Sequence, residues 1–96
     1  MLTLIPSSQF KKDIKKISKS GSFDIEELKK VIKSLENETP LDPMINRPHK
    51  LKSNWKGYIE CHIGSISSDW LLIYKIDETV KTLKLARTGT HSELFG

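Results

Sequence analysis

The spacing of apolar residues changes once along this 96-residue chain, at a segment that contains Pro40, Pro43 and Pro48. Before Pro40 the apolar residues recur every three to four positions, which is the period of one face of an α-helix. After Pro48 they alternate with polar residues, which is the period of a strand with one buried face. Because proline cannot continue a helix, the segment itself must be irregular. The chain therefore places helices first and a sheet afterwards.

The N-terminal part predicts a short strand and a first helix. The apolar residues of segment 2–5 are typical of a strand, which Pro6 ends. Ser7 or Ser8 can cap the following helix, and Gly21 suits the left-handed residue that closes it. The apolar stripe of this helix is Phe10, Ile14 and Ile17. Its other faces carry lysines, namely Lys11, Lys12, Lys15, Lys16 and Lys19.

A second helix is predicted to begin at a capping box, with Asp24 as N-cap and Glu27 three residues later. Its apolar stripe is Ile25, Leu28, Val31, Ile32 and Leu35, and it ends before Pro40. We expect the two helices to be antiparallel, because only a short loop joins them.

The C-terminal half predicts an antiparallel meander. Tyr58, Glu60 and His62 alternate with Ile59, Cys61 and Ile63, which gives one polar and one apolar face. Segment 64–68 is a hairpin loop, and segment 70–74 is apolar on both faces, as in a central strand. A turn at 77–78 precedes a final strand over 80–87. We predict one α+β domain over residues 1–96, with the helices on one sheet face and the other face left to display side chains.

Charge and cysteine content limit the class of protein. The net charge of +4 favours an acidic partner, which RNA, DNA or an acidic protein segment would all satisfy. Cys61 is the single cysteine, so an internal disulfide is excluded and an intracellular, cytoplasmic protein is predicted. No apolar run is long enough to span a bilayer, so no membrane partner is expected.

The three histidines, His49, His62 and His91, are candidates for proton transfer. Strand alternation places His62 on the polar face, and Asp69 across the hairpin is close enough to orient it or to stabilise its charge. Asp69 could equally be an ordinary residue at the hairpin end. The histidine spacings match no compact metal-binding motif, so we predict neither a metal site nor a cofactor.

The C-terminal segment adds a cation and an aromatic ring. Arg87 is in phase with Leu83 and Leu85 and could clamp a phosphate; a salt bridge to Glu60 or Asp69 is an equal alternative. Phe95 either packs the tail against the domain or stacks on a base.

Several segments together resemble the YafQ branch of the RelE superfamily of toxins. They are His49-Lys50-Leu51, Trp55-Lys56-Gly57-Tyr58, Cys61-His62, Asp69-Trp70-Leu71-Leu72-Ile73-Tyr74 and the tail from Arg87 to Gly96. The resemblance covers the whole chain, and it implies a RelE-like fold. It also implies a ribosome-dependent endonuclease that cleaves mRNA in the A site without metal, at adenine-rich codons, and that a cognate antitoxin neutralises.

The resemblance also implies which residues form the site. The matching positions are His49, His62, Asp69, Trp70, Arg87, His91 and Phe95, with Lys50 and Thr88 as further substrate contacts. The loop over 63–68 is longer than is usual in this family. Cleavage through the RNA 2′-hydroxyl needs a base, for which His62 or His49 with Asp69 could serve, an acid such as His91, and a cation such as Arg87.

Two other classes of function compete with this one. A non-catalytic RNA- or DNA-binding module would need the lysines and arginines but not three histidines and an aspartate on one face. A purely protein-binding subunit would use its basic helices to hold an acidic partner, and its tail would be dispensable.

Overall fold

A computed structural model of the chain describes residues 1–21, 23–64 and 68–95. The elements follow in the order β1 (Thr3–Pro6), α1 (Ser8–Ser20), α2 (Ile25–Glu36), β2 (His49–Lys50), a 3-10 turn (Ser53–Trp55), β3 (Ile59–His62), β4 (Trp70–Asp77), β5 (Thr82–Thr90) and α3 (His91–Phe95). The strands form one sheet in the order β1-β5-β4-β3-β2. β1 lies parallel to β5, and the other pairs are antiparallel. The predicted α+β architecture with β4 at its centre is confirmed.

The helix ends follow the predicted capping chemistry. Of the two serines proposed as caps, Ser7 is the one used, since its Oγ accepts from the amide of Phe10 at 3.0 Å. Gly21 closes α1 with a φ of 67°, in the left-handed region. Asp24 caps α2 by accepting from the amide of Glu26. Glu27 does not complete the capping box, because its carboxylate contacts Lys30 Nζ at 3.5 Å.

The main core lies between the two helices and one face of the sheet. The apolar stripes of both helices supply Phe10, Ile17, Leu28, Val31 and Leu35, all buried. From the sheet come Cys61, Ile63, Trp70, Leu72, Tyr74, Leu83 and Leu85. Burial of these side chains is the main favourable term for a domain of this size.

The opposite sheet face is covered, so the prediction that it merely displays side chains is wrong. Leu71 and Ile73 pack there against Leu94 of α3, with Trp55 and Tyr58 at the edge of the cluster. The segment between β2 and β3 and the C-terminal helix supply this cover. Consequently Glu60 and His62, the polar side chains of β3 on this face, are buried.

The tail forms a helix that the sequence reading did not predict. β5 continues to Thr90, three residues past its predicted end, and α3 follows at once. A reciprocal capping box explains the start of α3: the Thr90 amide donates to Glu93 Oε1 at 2.9 Å, and the Glu93 amide donates to Thr90 Oγ1 at 3.3 Å. A Cβ at Gly89 would lie 3.0 Å from Glu93 Oε1, so glycine permits this close approach.

Two other boundaries differ from the prediction. β2, at His49–Lys50, directly follows the proline-containing connection, where no strand was predicted, and it pairs with Glu60 and Ile59. In the predicted hairpin loop over 64–68, residues 65–67 lie outside the described residues, and the greater length of this loop stays a prediction.

A β-bulge in β5 changes the direction of Arg87. Tyr74 pairs with Leu85, but the adjacent Ile73 pairs with Arg87, so Ala86 is an extra residue. The expectation that Arg87 is in phase with Leu83 and Leu85 is therefore wrong. The bulge lies just beyond the point where β1 ends, since β1 pairs with β5 only as far as Leu85.

A buried carboxylate of α1 occupies the edge that β1 leaves open. Asp13 is 6% exposed, and its Oδ2 accepts from the backbone amide of Thr88 at 3.1 Å. The same carboxylate accepts from Arg87 Nε at 3.1 Å and from Arg87 Nη2 at 2.9 Å. This bidentate contact, with the charge on Asp13, raises the pKa of Arg87. Arg87 therefore makes a salt bridge, but to Asp13 and to neither of the acids considered from sequence.

We expect Asp13→Ala to destabilise the protein by roughly 1–3 kcal/mol, because it leaves the Thr88 amide and the Arg87 guanidinium without their acceptor. The measurement is urea-induced unfolding. Lys12→Ala, an exposed position on the same helix, is the control and is expected to change stability by less than about 0.5 kcal/mol. Equal stability of the two variants would show that Asp13 does not hold α1 to β5.

Candidate functional site

Imidazoles and carboxylates from four parts of the fold meet at one end of the sheet. His49 lies on β2, Glu60 and His62 lie on β3, Asp69 directly precedes β4, and His91 begins α3. The strand pairing brings them together, since His49 pairs with Glu60, and Trp70 beside Asp69 pairs with Thr90 beside His91. The structure thus gathers all three predicted histidines and Asp69.

The shortest contact in this group joins His91 to Asp69. His91 Nδ1 lies 2.6 Å from Asp69 Oδ1, and both side chains are more than half exposed. The hydrogen bond from His91 is the main cause of a lowered pKa for Asp69. Asp69 was expected from sequence to orient or charge-stabilise His62. Its hydrogen bond goes to His91, because α3 folds back over the start of β4, while the charge of His62 makes a smaller contribution to the lowered pKa of Asp69. Since Nδ1 is turned to the carboxylate, Nε2 of His91 is the nitrogen left for chemistry.

A second carboxylate, Glu60, lies between two imidazoles. Its Oε1 is 3.2 Å from His49 Nε2 and 3.9 Å from His91 Nε2, while its side chain is only 4% exposed. A buried carboxylate of this kind stabilises positive charge on the imidazoles beside it. Sequence reasoning considered Glu60 only as a salt-bridge partner for Arg87. The two-residue alternation that placed it on the same face as His62 was the signal that could have found it.

His62 is buried, whereas strand alternation alone suggested an open polar face. Its ring centroid is 6.1 Å from that of His91. Its Nδ1 lies 3.1 Å from Arg47 Nη2 and 3.4 Å from the carbonyl oxygen of Ser68. Arg47 was not among the predicted site residues, and nothing in its sequence neighbourhood distinguishes it.

Phe95 lies beside His91 at the exposed side of the site, whereas Lys50 pairs with Ile59, on the strand face alternate to the His49–Glu60 pair. The Phe95 side chain is 45% exposed, and its ring centroid is 6.1 Å from that of His91. Lys50 is exposed and lines a cavity of about 540 Å³ with Lys52, Lys56 and Tyr58. The exposed Phe95 ring beside His91 is suited to stack on a base, whereas the predicted contact of Lys50 with substrate at the histidines finds no support in this placement.

The structure assigns two of the predicted substrate contacts to the core. Trp70 and Thr88 are each 2% exposed, and Trp70 Nε1 donates to Thr88 Oγ1 at 2.8 Å. Thr88 Oγ1 in turn donates to the carbonyl oxygen of Leu71. Their side chains are satisfied inside the fold, so the prediction that they contact substrate is corrected to a structural role.

A metal site, a cysteine nucleophile and a membrane-spanning helix find little support in the part of the chain that the structure describes. Its residues contain no group of three or more His, Cys, Asp or Glu side chains able to hold a metal ion. Burial raises the pKa of Cys61 to about 12, so its thiol is not a nucleophile near neutral pH. None of the described helices is long and apolar enough to cross a membrane.

The sequence matches known proteins over most of its length. A family model described as the bacterial toxin of type II toxin–antitoxin systems, YafQ, matches residues 2–96. The mRNA interferase toxin YafQ of Escherichia coli strain B / BL21-DE3 is 43% identical over 90 residues, which make up 94% of this chain and 91% of that protein.

Solved structures agree with the sequence match. YafQ from E. coli strain BL21(DE3) has a TM-score of 0.86 at 38% identity, covering 100% of both chains. The E. coli DinJ–YafQ complex gives 0.83 at 39% identity, also covering 100% of both chains. A metal-bound toxin from Helicobacter pylori gives 0.85 at 43% identity, covering 99% of this chain and 100% of that chain.

The pairing of Asp69 with His91 predicts a pH-dependent difference in stability. Because folding lowers the pKa of Asp69 from its usual 3.8, the ionised carboxylate stabilises the fold above that value and loses this contribution as the pH falls through the folded-state pKa. We expect wild-type protein to be more stable than Asp69→Asn at a pH well above 3.8, and the difference to shrink as the pH falls below 3.8. Urea unfolding across this range measures it.

Glu36→Gln, which removes a carboxylate outside this site, is the matched control and is expected to show no such pH-dependent difference. A constant difference between Asp69→Asn and wild type across the whole range would contradict the pairing.

Proposed function

Because the chain belongs to the YafQ family of toxins from bacterial type II toxin–antitoxin systems, we propose that it is an endoribonuclease that cleaves mRNA. The curated E. coli relative is named an mRNA interferase toxin. The observation that carries the proposal is the contact of His91 with Asp69 at 2.6 Å, beside Glu60 and two further imidazoles. Imidazole is the side chain that most often acts as a general acid or base, and a carboxylate beside it can orient the ring.

The proposed reaction is attack of the RNA 2′-hydroxyl on the adjacent phosphate. It requires a base at the 2′-oxygen, an acid at the departing 5′-oxygen and positive charge at the phosphate. We assign the acid to His91, because the Asp69 carboxylate at its Nδ1 stabilises the imidazolium and leaves Nε2 to give up a proton. The base is His49 or His62, the other two imidazoles of the site.

Positive charge at the phosphate comes from more than one group in this proposal. Arg87 was the cation expected from sequence, but Asp13 compensates its charge through two hydrogen bonds. Its side chain is still 26% exposed and can contribute in part. His91 in its protonated form, with Nε2 at 3.9 Å from Glu60 Oε1, supplies the remainder in this proposal.

We further propose that cleavage depends on the ribosome and takes place in the A site. The reacting imidazoles His49 and His91 are each 53% exposed, so the protein alone encloses little of an RNA strand. A ribosome that presents the codon in a fixed conformation would supply the missing positioning. Phe95, exposed beside His91, is suited to stack on a purine, which agrees with a preference for adenine-rich codons.

The lysines of α1 are the proposed contact with ribosomal RNA. Lys11, Lys12, Lys15 and Lys19 are exposed on this helix. Lys16 differs from them, because its Nζ lies 2.8 Å from Glu93 Oε2 and ties α1 to α3. A purely nucleic-acid-binding module would use such lysines as well, but it would have no need of the His91–Asp69 pair.

A cognate antitoxin is the proposed protein partner, in the cytoplasm of the producing cell. The E. coli relative has been solved as a complex with DinJ. An exposed site on a chain with a net charge of +4 favours an acidic segment that becomes ordered on binding.

We propose that the reaction is metal-independent. Imidazoles can supply both the acid and the base, and the described residues offer no group of three metal ligands. Because a toxin from H. pylori has been solved with a metal bound, the effect of metal ions on cleavage is tested directly. The cleavage rate is to be measured with zinc and manganese added and with both removed. Equal rates support the proposal, and dependence on either ion contradicts it.

We expect His91→Ala to reduce single-turnover cleavage of ribosome-bound mRNA by ~10²–10⁴-fold, because it removes proton donation to the leaving oxygen. Phe95→Ala is expected to weaken substrate placement by roughly 1–3 kcal/mol instead. Ser92→Ala, at the exposed position between them along α3, is the matched control and is expected to cleave at the wild-type rate.

Thermal melting and ribosome pelleting of each variant separate chemistry from folding and docking. If His91→Ala cleaves at the wild-type rate, the acid is another group. If it unfolds the protein, His91 has a structural role and the proposed mechanism loses its main residue.

A further inference from the structure

The segment before β2 is fastened to the end of β3 by two hydrogen bonds. The His62 amide donates to the carbonyl oxygen of Asn46 at 2.6 Å, and Asn46 Nδ2 donates to the carbonyl oxygen of His62 at 2.8 Å. The Asn46 side chain is buried, and its Oδ1 also accepts from the amide of Asp42. These two hydrogen bonds between Asn46 and His62 therefore fix the position of the backbone around Asn46 relative to His62.

Arg47, the next residue, is held in an uncommon backbone conformation. Its φ is 41°, in the left-handed region that residues other than glycine seldom adopt. This conformation accompanies a side chain that reaches His62, with Nη2 at 3.1 Å from His62 Nδ1. Non-glycine residues in this region often mark functional positions.

The contact determines which nitrogen of His62 carries the proton. A guanidinium nitrogen can only donate, so Nδ1 of His62 must offer its lone pair to Arg47. The carbonyl oxygen of Ser68, at 3.4 Å from the same Nδ1, can only accept and would require a proton there. Both bonds cannot form at once, and the shorter one is to Arg47. With Nδ1 unprotonated, the single ring proton of neutral His62 lies on Nε2.

We propose that Arg47 is a positioning residue that fixes His62 as the neutral tautomer with its proton on Nε2. In this form neither nitrogen can accept the proton of the 2′-hydroxyl, because Nδ1 is occupied by Arg47 and Nε2 is already protonated. His62 is then a hydrogen-bond donor to a phosphate oxygen. This assignment rests on the proposed RNA cleavage and decides between the two candidate bases in favour of His49.

The surroundings of His49 are consistent with that role. Its Nε2 lies 3.2 Å from Glu60 Oε1, and its Nδ1 lies 3.2 Å from the carbonyl oxygen of Arg47. Both nitrogens thus face acceptors, and both contacts are satisfied at once only after the ring has gained a proton. Arg47 therefore acts on both imidazoles, through its side chain on His62 and through its carbonyl oxygen on His49.

The tautomer can be observed directly in the free protein. Long-range ¹H–¹⁵N correlation spectra of protein labelled at histidine distinguish a proton on Nδ1 from one on Nε2. We expect the Nε2–H form of His62 in wild type and in Arg47→Lys, which keeps a cationic donor. In Arg47→Met the Ser68 carbonyl oxygen is the partner that Nδ1 keeps among the described residues, and we expect the proton to move to Nδ1. A wild-type spectrum with the proton on Nδ1, or no change in Arg47→Met, would overturn the proposal.

Single-turnover cleavage tests the consequence for the base. His62→Gln keeps an N–H donor, so we expect it to lose less than about tenfold, whereas His49→Gln removes the base and is expected to lose ~10²–10⁴-fold. Equal large losses in both variants would refute the assignment of His49. If wild type cleaves no RNA, the proposed function fails, while the tautomer experiment still reports on Arg47.

Discussion

The placement of the site depends on the buried carboxylate of Asp13. β1 ends at Pro6, and beyond that point β5 has an open edge that would leave backbone amides without partners. Asp13 reaches from α1 and accepts both the Thr88 amide and the Arg87 guanidinium. A helix thus stabilises the part of β5 that leads directly into α3, where His91 lies.

A second ion pair continues this connection to the tail. Lys16, one turn after Asp13 on α1, contacts Glu93 of α3 at 2.8 Å, and this bond is the main cause of the lowered pKa of Glu93. Glu93 also receives the Thr90 amide and so holds the start of α3. Asp13 and Glu93 are both hydrogen-bonded between α1 and the segment around His91. The position of His91 is therefore set by α1 as well as by the sheet. A terminus of five helical residues would not be stable without such tertiary contacts.

Sequence patterns were sufficient for the features that rest on local chemistry. The helix stripes, a serine cap at Ser7 or Ser8, the left-handed Gly21 and the central strand around Leu72 all follow from residue type and spacing. The bulge at Ala86 could not be predicted, since it appears only when β4 and β5 are paired, and it moved Arg87 out of the expected phase. The hydrogen-bond partners of the site residues also depend on tertiary placement and could not be predicted from sequence. Asp69 meets His91 and not His62 because α3 returns over the sheet, although the Thr90–Glu93 capping box was present in the sequence to indicate that helix.

The central claim is that this site cleaves RNA through the substrate's own 2′-hydroxyl by proton transfer between histidines. The most direct test uses a ribosome-bound mRNA with a single 2′-deoxynucleotide at the mapped cleavage position, compared with the all-ribose message. We predict that the deoxy substitution blocks cleavage and that the ribose message yields a 2′,3′-cyclic phosphate and a 5′-hydroxyl. Cleavage of the deoxy message at an equal rate, or products that carry 5′-phosphates, would contradict this account.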